Sequence, residues 1–283
     1  MTISIAEALL EASRTLLNAG VPEARREAAS LLGHLIRKDR TFLISQAEHQ
    51  LTSEELQIFR ATVERRAAGE PLQYITGQQD FYGRVFRVTP DVLIPRPETE
   101  LLVEAALELT KDGAPFICDV GTGSGCIAIS LLCEQISARA IAVDVSTAAL
   151  SIAKQNANQL GVTDRIELLN SDCFDSVPTT YRFDLVISNP PYVDQDIVPG
   201  LQREVRDHEP LIALTPGPDG LTIIRRLLAE APQRLRENGF LLLEIGFNQG
   251  AAVENLVDRS VWKLIEIRPD LQGIPRIVML QKV

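Results

Sequence analysis

Asn189-Pro190-Pro191-Tyr192 brings together residue types able to hold a planar amide or amino group. Asparagine offers a carbonyl acceptor and an amide donor, and tyrosine adds an aromatic face. Proline at 190 pushes Asn189 out of the helical region, and the second proline stiffens the turn. A nitrogen group held by its hydrogens in such a site would keep its lone pair pointing outward. The same four residues also read as an ordinary strand-ending turn, since Asn and Pro are common turn residues. They close the apolar run Phe183-Asp184-Leu185-Val186-Ile187-Ser188, which predicts a buried parallel strand with the tetrapeptide in the crevice at its carboxyl end.

A second constellation lies upstream. Asp119-Val120-Gly121-Thr122-Gly123-Ser124-Gly125 ends another apolar run and leads straight into the helical Cys126-Ile127-Ala128-Ile129-Ser130. Glycines there allow a tight turn and a close ligand approach. The next strand closes on Asp144, 19 residues past Gly125, where a carboxylate can accept from ribose hydroxyls. Strand, glycine loop, helix, strand and acid together point to an adenosine-containing cofactor; glycines serving packing alone are the competing reading. The spacing is GxGxG led by Asp119, not the dinucleotide GxGxxG. A carboxylate suits the α-amino group of S-adenosylmethionine better than a pyrophosphate. At the end of the third strand, Ser171-Asp172-Cys173 places Asp172 either to accept from an adenine amine or to cap the following turn.

These loops need a scaffold, and the pattern supplies one. Strands are expected at 116–120, 139–145, 165–170, 183–188, 239–245, 262–268 and 276–281, with helices at 98–111, 125–136, 147–160, 219–237 and 248–259. The alternation predicts an α/β fold with a doubly wound sheet. Residues 1 to about 70 read as helical throughout, with capping boxes at Ser4–Glu7 and Thr52–Glu55. Apolar stripes run through Ile5, Leu9, Ala12, Leu16 and through Ala28, Leu31, Leu32, Leu35, and Pro22 is expected in the first turn of the second helix. Prolines and glycines between Gly69 and Pro97 punctuate β-prone pieces, which predicts a hairpin and then a loop. The expected domains are 1–77, a helical bundle; 78–97, a hairpin linker; and 98–283, the α/β domain.

Composition narrows the function classes. The formal charge of −10 argues against a protein that grips nucleic acid over its whole surface, and residues 1–80 are near neutral with 11 acids and 9 bases. No run of eighteen apolar residues appears, and Met1-Thr2-Ile3-Ser4 lacks a basic secretory start, so a soluble cytoplasmic protein is expected. Cys118, Cys126, Cys133 and Cys173 lack paired-ligand spacing and read as reduced thiols. His34, His49 and His208 are scattered, and no metal site is expected.

DVGTGSG, Asp144, Asp172 and the NPPY tetrapeptide, in this order on these strand ends, resemble class I S-adenosylmethionine-dependent methyltransferases, which have a Rossmann-like sheet and here would act on a planar nitrogen. YITG at 74–77, FYG at 81–83, LIPRPETE at 93–100, EP at 209–210, PGPDGL at 216–221, LLLEIG at 241–246 and DLQGIPRIV at 270–278 narrow the resemblance to the HemK (PrmC-like) family, the protein-(glutamine-N5) methyltransferases of peptide chain release factors. It covers nearly the whole chain. Cys173 is a departure, since some members carry a tryptophan there, expected to pack on the adenine.

The resemblance implies methyl transfer from S-adenosylmethionine, leaving S-adenosylhomocysteine, to the glutamine of the Gly-Gly-Gln tripeptide in class 1 release factors. It implies cofactor contacts from Asp119, Gly121, Thr122, Gly123, Ser124, Gly125, Asp144, Asp172, Cys173 and Asn189, and substrate contacts from Asn189, Pro190, Pro191 and Tyr192. Asn189, Pro190 and Tyr192 are the expected catalytic residues, residues 1–77 the expected substrate-recognition domain, and a monomer the expected state. Two alternatives stand beside it. One is a DNA methyltransferase acting on adenine N6 or cytosine N4, against which the acidity and the lack of a basic extension argue. The other is a non-catalytic S-adenosylmethionine-binding protein, against which the intact tetrapeptide argues.

Overall fold

A computed structural model of the chain describes residues 3–111 and 113–283. They divide into two compact units, one of residues 1–77 with 202–208 and one of residues 78–201 with 209–283.

The first unit is built from α1 (Ile5–Asn18), α2 (Ala24–Ile36), α3 (Arg40–Ser45), α4 (Ser53–Ala67) and α5 (Leu72–Thr76). Both expected capping boxes form: Ser4 Oγ accepts from the Glu7 amide while Glu7 accepts from the Ser4 amide, and Thr52 and Glu55 do the same at α4. Ile5, Ala8, Ala12 and Leu16 of α1 close on Ala28, Leu31 and Leu32 of α2 and on Phe59 and Val63 of α4. Leu9 and Leu35 lie at the margin of that core, only partly buried. Pro22 stands outside α2, whose N-cap is Glu23, so the second helix starts later than its proline suggested. The residues between α3 and α4 are not helical either; Gln50 forms an isolated antiparallel bridge with Ser4.

Among the described residues of the second unit, the hairpin strands β1 (Gln78–Phe81) and β2 (Arg84–Arg87) come first. Phe81 pairs with Arg84, and the two turn residues between them, Tyr82 and Gly83, have φ of 50° and 69°. Positive φ at both central positions is the twist that matches right-handed strands. Phe81 and Phe86 are both buried and meet edge to face, so the hairpin is packed into the core of this unit.

The main sheet follows: α6 (Glu100–Thr110), β3 (Phe116–Val120), α7 (Cys126–Glu134), β4 (Arg139–Asp144), α8 (Thr147–Gln159), β5 (Ile166–Asn170) and β6 (Phe183–Ser188). Then come α9 (Arg203–His208, part of the first unit), α10 (Leu211–Leu214), α11 (Thr222–Glu230), β7 (Leu235–Glu244), α12 (Gly250–Leu256), β8 (Trp262–Pro269) and β9 (Pro275–Lys282). The seven strands run β5-β4-β3-β6-β7-β9-β8, with β9 antiparallel to both of its neighbours. The expected strands are all present. The helix expected over 219–237 is shorter, because Pro232 lies in a closing 3₁₀ turn and Leu235 already pairs with Phe183 in the sheet.

The strand order reverses between β3 and β6, which pair in parallel with Asp119 opposite Ile187. At such a switch point the loops leaving the two strands open in opposite directions and form a crevice. The register therefore brings the glycine loop and the NPPY tetrapeptide side by side. Ser188 tightens the junction by donating its hydroxyl to the Val120 carbonyl at 2.6 Å.

Candidate active site

The glycine loop is held mostly by its own polar groups. Thr122 Oγ1 donates to Asp119 Oδ2 at 2.7 Å, and the Ser124 carbonyl accepts from Asn156 Nδ2 at 2.8 Å. Both hydroxyl residues are buried, at 3% and 2% exposure, and the Thr122 side chain and the Ser124 carbonyl tie the loop from within. Asn156 also exchanges two hydrogen bonds with the Arg87 backbone, fastening the hairpin to the loop. Gly121, Gly123 and Gly125 all have positive φ, but a Cβ would meet nothing within 4 Å at the first two and Ile129 at 2.7 Å at the third. Gly121 and Gly123 thus line open space, while Gly125 lets α7 pack.

Asp119 is fully buried, and its Oδ1 has no hydrogen-bond partner. Burial pushes its carboxyl from 3.8 to about 7, against the pull of the Thr122 hydroxyl and the Ala128 amide. Asp144 accepts from the Gly123 amide at 2.8 Å and the Ser146 amide at 2.9 Å, and burial raises its pKa in spite of those donors. Asp172 is engaged differently: its carboxylate meets Arg226 at 2.6 Å, and the same guanidinium holds Asp175 and Glu230. Cys173 has φ of 46° and is buried in the core cluster that also holds Val120 and Ile141. Burial first of all pushes that thiol up to about 12, so it stays neutral.

The NPPY turn is clamped from several sides. Asn189 Nδ2 donates to Thr99 Oγ1 at 3.0 Å, and Pro190 is buried. Tyr192 donates its phenol to Glu244 Oε1 at 3.3 Å, and burial pushes the phenol pKa well up. The Tyr192 carbonyl accepts from Gln249 Nε2 at 3.0 Å, whose Oε1 in turn accepts from the Gly246 amide at 2.9 Å. Val193 is tied to the Leu214 carbonyl at 2.9 Å. Arg96 meets the buried carboxylate of Glu209 at 2.6 Å, which links the LIPRPETE and EP segments.

The sequence by itself assigns no role to Thr99, Glu244, Gln249 or Gly220, although Thr99, Glu244 and Gly220 lie within LIPRPETE, LLLEIG and PGPDGL. Glu244 had a signal: an acid ending the apolar run Leu241-Leu242-Leu243, as Asp119 does after Ile117-Cys118. Gln249 had none, since its role depends on the close approach of two distant loops. Among the described residues no group of His, Cys, Asp and Glu could hold a metal ion, and no helix is long and apolar enough to cross a membrane.

Residues 7–77 match the PrmC N-terminal domain, and residues 97–202 match the methyltransferase small domain. A release factor glutamine methyltransferase of Cereibacter sphaeroides is 46% identical over 275 residues, spanning 96% of each chain. The chain belongs to the release factor glutamine methyltransferase family. Another family member, from Moorella thermoacetica, is 43% identical over 97% of each chain. Solved structures are more distant and speak to the fold alone. A methyltransferase from Pyrococcus furiosus superposes with a TM-score of 0.53 at 16% identity, covering 79% of this chain and 97% of its own. The hMettl16 catalytic domain gives 0.57 at 15% identity, covering 83% and 84%. The family uses S-adenosylmethionine, and the buried Asp119 with its unpartnered oxygen beside an open glycine cradle suits that cofactor.

Proposed function

We propose that this enzyme methylates the side-chain N5 of the glutamine in the Gly-Gly-Gln tripeptide of class 1 peptide chain release factors, in the cytoplasm and as a monomer. The observation that carries the reading is Asn189, whose Nδ2 is committed to Thr99 at 3.0 Å, leaving Oδ1 as the acceptor for a substrate.

S-adenosylmethionine supplies an electrophilic methyl group on a sulfonium. Asp119 Oδ1 accepts from its α-amino group, Asp144 from the ribose and Asp172 from the adenine amine, while Gly121 and Gly123 leave room for its approach. The Arg226 pair shares Asp172 with that task. Gly125, Thr122 and Ser124 hold the loop in shape, and Cys173 fills the wall behind the adenine.

The glutamine amide is a weak nucleophile because its lone pair is delocalised into the carbonyl. Asn189 Oδ1 and the Pro190 carbonyl accept its two hydrogens, which favours lone-pair density on nitrogen and fixes its aim. Orientation of this kind is worth several kcal/mol of barrier. Positive charge developing on nitrogen meets these preset acceptor dipoles, the reverse of an oxyanion hole. Pro191 and Tyr192 pack on the flat amide and exclude water. The N-methylated amide then releases its extra proton to solvent. Residues 1–77 provide recognition surface beyond the reacting group, since one glutamine offers few contacts.

The test is turnover of labelled S-adenosylmethionine with intact release factor, followed by mass spectrometry of the labelled peptide. Label on the Gly-Gly-Gln glutamine is the expected result. Label absent from that residue, or equal labelling of duplex DNA, overturns the reading.

A further inference from the structure

Thr99 and Glu244 lie behind the NPPY turn, 2% and 1% exposed. Thr99 Oγ1 accepts from Asn189 Nδ2 at 3.0 Å. Glu244 Oε1 accepts the Tyr192 phenol at 3.3 Å, its Oε2 has no hydrogen-bond partner, and the Thr99 hydroxyl acts on the same carboxylate. A buried acid with an unfilled oxygen is costly to keep, and its neighbours are the residues that shape the turn.

We propose that Thr99 and Glu244 are positioning residues that fix the polarity of the Asn189 amide, so that Oδ1 and not Nδ2 faces the incoming nitrogen group. The proposal rests on the reading of Asn189 as the substrate acceptor.

The two ends of an asparagine amide have nearly the same shape and opposite polarity. Turned over, Asn189 would present two donors to an amide that itself brings donors, and the acceptor site would be lost. A hydroxyl alone cannot prevent this, because it both donates and accepts. An ionised carboxylate can, because it only accepts. With Glu244 charged, the hydroxyl protons of Thr99 and Tyr192 are drawn toward it. The lone pairs of Thr99 Oγ1 are then left for Asn189 Nδ2, as found. With Glu244 protonated the order can reverse: the acid donates to Thr99, Thr99 donates to Asn189 Oδ1, and Nδ2 turns toward the substrate.

The ionisation state is therefore part of the device. Burial pushes Glu244 from 4.5 to about 7, opposed by the hydroxyls of Thr99 and Tyr192 and by Arg276 on β9, and reinforced by Glu98. Cys126 on α7 also faces it; that thiol, pushed up to about 12, stays neutral, as does the Tyr192 phenol. Near neutral pH the group in this cluster that changes charge is Glu244.

The experiment uses the full chain, saturating S-adenosylmethionine and intact class 1 release factor. Thr99→Val keeps the shape and removes the hydroxyl. It should lower kcat by about tenfold or more, the order of one lost orienting hydrogen bond, with KM and cofactor Kd within about threefold. Thr99→Ser should restore kcat to within about threefold of wild type. Wild-type kcat should rise between about pH 6 and 8, and Glu244→Gln should be slower and flat over that range. Asn189→Ala is measured alongside. If Asn189→Ala is as fast as wild type, the reading of the site falls. If it is slow while Thr99→Val matches wild type, or Glu244→Gln keeps the wild-type pH profile, the positioning proposal alone falls. Cofactor titration reports whether each variant is folded; should Thr99→Val fail it, Thr99→Ala against Thr99→Ser makes the same comparison.

Discussion

A Cβ placed on Gly220 would stand 2.2 Å from the carbonyl oxygen of Tyr192. Gly220 also has φ of 67°, so two independent constraints demand glycine at the fifth position of the PGPDGL segment. That segment is the wall against which the NPPY turn is pressed, and Gln249 bonds both partners, the Tyr192 and Gly220 carbonyls.

Gly220→Ala is expected to push the NPPY turn out of place. Overpacking and left-handed strain together should cost about 1–3 kcal/mol of stability, with a larger proportional loss of kcat. Gly83→Ala is the comparison: its φ is 69° but a Cβ there would meet nothing within 4 Å, so it should lose a little stability and keep its rate. Thermal unfolding and turnover measured on both variants check this; equal rates would show that the close approach is not needed.

Asp144→Ala and Asn189→Ala should fail in different ways. Loss of Asp144 removes the acceptor of the Gly123 and Ser146 amides as well as the proposed ribose contact. Calorimetric titration should show cofactor affinity weakened by about 1.5–3 kcal/mol. Asn189→Ala should keep cofactor affinity within a few-fold and lose most of kcat, because its contacts act on the transition state. Wild-type affinity in the first, or wild-type turnover in the second, would remove that residue from its assigned role.

Asp119 should make the apo-protein less stable as pH rises. Burial holds its carboxyl at about 7 in the fold against an ordinary 3.8. The folded chain therefore keeps a proton that the unfolded chain releases between those values, so stability falls across that window and levels above it. Asp119→Asn removes this group's slope. Relative to the variant, wild type should lose roughly 3–4 kcal/mol of unfolding free energy between about pH 4 and 8. Glu244 slopes in the same direction in both proteins and cancels in the difference. Denaturant titrations across this range check it, and parallel curves would refute it. Saturating S-adenosylmethionine should flatten the wild-type slope, since a cation beside Asp119 favours the carboxylate.

Arg66 should prove to be the keystone of the first unit. It is 5% exposed and meets Glu27 at 2.5 Å and Glu204 at 2.9 Å, the latter on α9. Arg66→Met leaves the half-buried Glu27 and the more exposed Glu204 without their shared cation and should cost about 1–3 kcal/mol. Adding Glu27→Leu and Glu204→Leu should recover most of that loss, because an apolar cluster needs no charge partner. Denaturant unfolding of the full chain, followed in the first unit, reads both; a single variant as stable as wild type would show that the triad is dispensable.

Much of this protein was legible in its sequence because its signals are local. Strand periodicity, the two capping boxes, the glycine loop after Asp119 and the proline-stiffened turn at Asn189 each depend on residues close in the chain. Local chemistry reads them without a fold. The parallel sheet followed from alternating strands and helices, and its strand ends were placed well enough to put both loops at carboxyl edges. What the tertiary structure alone decided is which distant residues meet there. The pairing of Asp119 with Ile187 across the switch point sets two loops side by side that lie some seventy residues apart in the chain. Helix α9 follows the NPPY turn in sequence yet packs in the first unit, because Arg66 is buried there and needs Glu204. The helix expected to run to 237 stops early because the sheet takes Leu235 as a partner for Phe183. Thr99 carries no periodic or turn signal of its own, and Glu244 only that of an acid ending an apolar run; they converge on Asn189 and Tyr192 from separate elements, and only burial of a carboxylate at the end of β7 makes that convergence chemically consequential.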